Sequence, residues 1–138
     1  MTYLVDTNVL VYAFDAGDPV HSAKASAWLD ALIERRAGAI SVQALSEYVN
    51  VVVRRMQPAW STSDASATLL DLARVFDVIP VTPLVMAEAL RGVGQQGLSY
   101  CDAQMWAVAQ LHQVPYLLTE DMASGATVDP FTTEPTSG

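Results

Sequence analysis

Short apolar, β-prone runs alternate along this chain with longer amphipathic stretches, and that alternation constrains the fold more than any other feature. The runs are Thr2–Asp6, "AISV" at 39–42, "FDVIPV" at 76–81 and "PYLLT" at 115–119. Between the first two, Val20–Arg36 places Ala23, Ala27, Leu29, Leu32 and Ile33 on one side of a helix and Lys24, Asp30, Glu34 and Arg35 elsewhere. Gly38 reads as its closing residue. Gln43–Met56 reads as a helix stopped by Pro58. "STSD" at 61–64 offers N-caps for a helix to about Val75, and Pro83 suits the first turn of a helix ending in "GVGQQG". Ser99 opens a last helix to about Gln113. Strands and helices in this order predict an α/β fold, a three-layer α/β/α sandwich around a central parallel sheet. A short further strand is expected near 127–131, with residues 132–138 a flexible tail, giving one domain over 1–131.

With 51% hydrophobic and 16% charged residues, a chain of 138 builds a substantial core. Its 15 acids against 7 bases give a formal net charge of -8. Such a surface repels nucleic acid unless bound cations or a local basic rim intervene, and it suits a basic protein partner. The lone Cys101 forms no internal disulfide and offers no zinc ligand set, which favours a reducing compartment. The opening residues lack a signal-peptide pattern. The longest uncharged run, Ala103–Thr119, is broken by three Gln, a His and a Pro. The expectation is a soluble, cytoplasmic protein.

Asp6 is the residue that composition does not explain. It interrupts the apolar stretch "YLVDTNVLVY", where a carboxylate near a core is costly unless it is paired, hydrogen-bonded or bound to a cation. In open α/β sheets, ligands collect outside the carboxyl ends of the strands. Asp6 ends the first strand and Asp121 follows "YLLT" by two residues, while Glu47 and Asp102 lie at or near helix starts. Four such acids converging need a counter-cation, and oxygen ligands of this kind select Mg²⁺ or Mn²⁺ over zinc. Each acid also has a plainer reading. Asp6 suits an Asx turn, Asp102 completes a capping box with Ser99, and Asp121 suits a solvated loop. At about 100° per residue, Glu47 points away from Leu45, Val49, Val52 and Met56, toward Asn50 and Arg54, which reads as a solvated position or an ion pair with Arg54.

The segments "LVDTNVLVY", "SVQALSEYVNV", "LSYCDAQMWAVA" and "YLLTEDM", in this order, resemble the PIN-domain family, and most closely its VapC-type toxin branch. The resemblance runs from Thr2 to about Phe131. It implies a metal-dependent endoribonuclease that hydrolyses RNA phosphodiesters, with Asp6, Glu47, Asp102 and Asp121 as catalytic acids holding Mg²⁺ or Mn²⁺. Asn8 and Thr119 match the polar residues that support such a site, and the T-x-D spacing favours Asp121 over the adjacent Glu120. It further implies products with 5′-phosphate and 3′-hydroxyl ends, a VapB-like antitoxin as cognate partner, and a homodimer. Arg54 and Arg55, about two turns beyond Glu47, are the first candidates for RNA contact among the seven cations.

Two other readings compete. A phosphotransfer domain with Asp6 as nucleophile calls for a lysine near the phosphate, and the one lysine is Lys24, early in the first long helix. A non-catalytic PIN-like module that binds protein is the alternative of a different class, although the acidic set is complete.

Overall fold

The computed structural model describes residues 2–119, 126–128 and 135–137. In chain order, β1 (Tyr3–Val5) leads into α1 (Thr7–Ala13) and α2 (Pro19–Arg35), then β2 (Gly38–Ser41) and α3 (Val42–Arg54). Next come α4 (Thr62–Val75), β3 (Asp77–Ile79), α5 (Pro83–Gln96) and α6 (Tyr100–Leu111). Three strands close the described chain: β4 (Tyr116–Leu118), β5 (Ala126–Val128) and β6 (Pro135–Ser137). The sheet order is β3-β2-β1-β4-β5-β6. The first four of these strands run parallel, and β5 and β6 add antiparallel at the β4 edge. Within the segment expected to be a tail, 135–137 form β6; its other residues lie outside the described ones.

Side chains that alternate along each strand feed two cores, one on each face. Val5, Ile40 and Leu118 join α1–α4, whereas Leu4, Ala39 and Ile79 join α5 and α6. The expected sandwich is therefore present, with a helical layer on either side of a parallel sheet. Among the described residues, no helix is long and apolar enough to cross a membrane.

Helix α1 departs from the sequence reading, which left Thr7–Ala13 unassigned. Seven residues are too few for a period to stand out, and the apolar run Val9–Tyr12 hides the helical face on which Thr7, Val9 and Leu10 are buried. On α2 the buried residues are Ala25, Leu29 and Leu32, while Ala23 and Ala27 are exposed. The hydroxyls of Ser22 and Ser26 turn inward instead. They donate to the Ala13 carbonyl at 3.1 and 3.4 Å, satisfying an acceptor that the end of α1 leaves without an intrahelical donor.

Gly38 does not close α2. Arg36 takes the left-handed cap position at φ 51°, and Gly38 opens β2. Its role is space, because a Cβ there would stand 2.4 Å from the Phe76 ring. Gly38→Ala is expected to destabilise the fold by about 1–3 kcal/mol through this overlap, read as a lower urea midpoint at an unchanged denaturant slope.

Candidate functional site

The carboxyl edge of the parallel sheet gathers the polar residues of the first motif. Asp6 follows β1 directly in an extended conformation, and its N–H donates to the Leu118 carbonyl at 3.0 Å. That bond continues the β1–β4 ladder by one residue and sets Asp6 beside the end of β4, where Thr119 follows half-buried. Asp6 is also the N-cap residue of α1, yet its side chain makes no cap hydrogen bond. The residue itself is half-buried. Asn8, two residues on, is exposed in the first turn of α1.

Glu47 reaches this edge from α3. The fully buried Ser41, at the end of β2, caps α3 by accepting the Ala44 N–H at 3.1 Å. Tyr48 is buried in the core against Phe14, and this fixes the rotation of α3 so that Glu47 stands outward. Glu47 does not pair with Arg54. One carboxylate oxygen accepts the Thr7 hydroxyl at 3.0 Å, and the other accepts the Gln43 side-chain amide at 3.0 Å. Thr7 is the residue after Asp6, so the first bond ties Glu47 to the chain beside the first acid. The Gln43 bond, at i,i+4 spacing, is one that the sequence could have signalled and that the Arg54 reading passed over. The Thr7 bond, which spans 40 positions of chain, left no local signal.

Asp102 lies in the first turn of α6, and its N–H donates to the capping Ser99 hydroxyl at 3.2 Å. Ser99 is thus the N-cap of α6, which is the Ser99 half of the expected capping box. Because α6 returns through a short turn into β4, which is parallel to β1, the start of α6 lies toward the carboxyl edge. Asp102 is exposed there. Among the described residues, no three His, Cys, Asp or Glu side chains form a metal-sized group. Asp121 and its neighbour Glu120 lie outside the described residues. The structure thus joins Asp6 to Glu47 through Thr7, and puts Asp102 on the same edge without closing the set. The Glu47 carboxylate is held by neutral groups, and carboxylate oxygens of this kind fit a hard divalent cation.

Arg54 and Arg55 are exposed at the far end of α3, about 10 Å of helical rise beyond Glu47. They enter no ion pair among the described residues, whereas Arg74 and Arg91 are held by Asp71 and Glu88. Arg91 also lies over the Trp106 ring, 5.4 Å from its centroid.

A family model described as PIN domain matches residues 3–123. No curated protein matches the chain. Among solved structures, VapC20 of Mycobacterium tuberculosis, a sarcin-ricin loop cleaving toxin, superposes with a TM-score of 0.66 at 22% identity, over 90% of this chain and 95% of its own. A toxin–antitoxin complex from Klebsiella pneumoniae gives 0.61 at 24% identity, over 86% and 85%. VapBC2 from Rickettsia felis, bound to a DNA fragment from its promoter, gives 0.62 at 20% identity, over 89% and 90%.

Tyr48, beside Glu47, supplies a test of how α3 is anchored. Its hydroxyl oxygen is buried with no hydrogen-bond partner among the described residues, and burial pushes its pKa up from 10.0 to about 12. The folded chain keeps this proton after the unfolded chain has lost it. The stabilising contribution is full below pH 10 and falls as pH rises from 10 to about 12. Tyr48→Phe is expected to flatten the alkaline decline in stability across that window, measured by urea titrations at several pH values.

Proposed function

The chain belongs to the PIN-domain family, and from that premise we propose that it is a Mg²⁺- or Mn²⁺-dependent endoribonuclease, formed by a single domain over residues 1–131. The observation that supports this reading is the bond from the Thr7 hydroxyl to Glu47, which ties α3 to the residue that follows Asp6. Asp6, Glu47, Asp102 and Asp121 would hold the metal, with Asn8 and Thr119 orienting their carboxylates through hydrogen bonds. When bound, the divalent ion supplies positive charge to a phosphodiester and lowers the pKa of a water molecule.

The chain's own groups have distinct tasks. Asp6 is fixed in position by the sheet, because its backbone N–H is part of the β1–β4 ladder. Glu47 is fixed in orientation by two neutral donors, so both its oxygens keep a lone pair for a ligand and the carboxylate keeps its charge. Against a net charge of -8, RNA is drawn to this edge only where that charge is locally offset. Arg54 and Arg55, exposed at the end of the helix that carries Glu47, are the first candidates to grip phosphates away from the cleaved bond.

The role is that of the toxin in a toxin–antitoxin pair acting in the cytoplasm, with a basic VapB-like antitoxin covering the acidic edge and a homodimer as the assembly. Supporting it are the folds shared with VapC20 and with the Klebsiella and Rickettsia assemblies, together with the excess of acids. Expression with and without the neighbouring open reading frame, with mapping of new 5′ ends across total RNA, tests this role directly.

Asp6→Asn is expected to lower Mg²⁺-dependent RNA cleavage by at least about 100-fold while the circular dichroism spectrum is retained. Undiminished cutting by this folded variant would refute the assignment. Glu47→Gln, which keeps the shape and one acceptor, is expected to lower the rate or weaken Mn²⁺ binding by about 10–100-fold. Calorimetric Mn²⁺ titrations of parent and variant provide the check, and absence of millimolar binding by the parent would favour the protein-binding module.

A further inference from the structure

We propose that Thr7 is the positioning residue of this site: its hydroxyl aims the Glu47 carboxylate, and the aim rather than the fold is what its side chain is for. The inference rests on the nuclease reading and goes beyond it, since the supporting role was expected of Asn8 and Thr119.

Three observations carry it. Thr7 is 7% exposed, so its hydroxyl has little access to water and depends on a protein acceptor. That acceptor is Glu47 Oε2 at 3.0 Å, a charge-assisted bond between α1 and α3 across 40 positions of chain. Local structure does not require the hydroxyl, because α1 forms without any side-chain cap and its N-cap residue is Asp6. Gln43 contacts the other oxygen from within α3, but that bond is exposed to solvent and competes with water. The part-buried, cross-element bond is the better shielded of the two and therefore dominates the orientation. Its geometry also couples the two acids. Thr7 is fixed to Asp6 by the main chain, so any shift of β1 that moves Asp6 carries Glu47 with it.

The test uses Thr7→Val, which matches the shape of the side chain without its donor, and Thr7→Ser, which restores the donor. In the metal-free chain, the effect of Thr7→Val on the unfolding equilibrium constant should shrink by about threefold or more when Glu47 is already Ala. Strict additivity of the two substitutions overturns the bond itself. In Mn²⁺ calorimetry and in RNA cleavage, Thr7→Val should weaken metal binding or lower kcat by about 10–100-fold with KM little changed, and Thr7→Ser should recover most of the loss. A Thr7→Val chain that binds Mn²⁺ and cuts RNA like a competent parent overturns the positioning role alone. A parent that neither binds Mn²⁺ nor cuts RNA overturns the nuclease reading and this role together.

Discussion

Strand β1 has a hydrogen-bonded neighbour on each side, β2 and β4, and buried side chains on each face. It is only three residues long, near the lower limit for a strand, so its position is secured by pairing and burial rather than by length. Leu4 and Val5 are both fully buried, one in each core. The residue after them, Asp6, continues the ladder to Leu118. The backbone of Asp6 is thereby fixed at the end of the sheet's central strand, with its half-buried side chain at the carboxyl edge.

The chemistry of the arrangement lies in the kind of partner chosen. Glu47 is held by a hydroxyl and an amide, although Arg54 stands on the same helix. Neutral donors orient a carboxylate without cancelling its charge, whereas an arginine would orient it and compete with any cation. The arginines that do pair with acids among the described residues, Arg74 with Asp71 and Arg91 with Glu88, lie on α4 and α5. Held this way, the Glu47 carboxylate remains suited to a divalent ion.

Much of the layout was legible before any coordinates. The breaks at Ser61, Pro83 and Ser99 fall where caps and first-turn residues are observed, because capping is chemistry among residues three apart. Glycine was read less well: Gly38 looks like a helix terminator, but its place was decided by the Phe76 ring, 38 positions away in the chain. Alanines on α2 were misassigned for a similar reason. Their apolar signal is weak, and the Ala13 carbonyl selected the face that carries Ser22 and Ser26. Glu47 shows the limit most clearly. Periodicity turned it away from the core, correctly, yet only resemblance to a family marked it as functional.

By itself, the order of residues determined the strand–helix alternation, the two-sided apolar sheet and the presence of an acid at the end of the first strand. These follow from periodicity, capping and the cost of a lone carboxylate, all of which act over a few residues. Tertiary structure alone decided that β1 would be central, that Thr7 would lie in a buried helix turn, and that its hydroxyl would meet Glu47. Those outcomes depend on which surfaces exclude water together, a property of the packed chain that no short window of sequence contains.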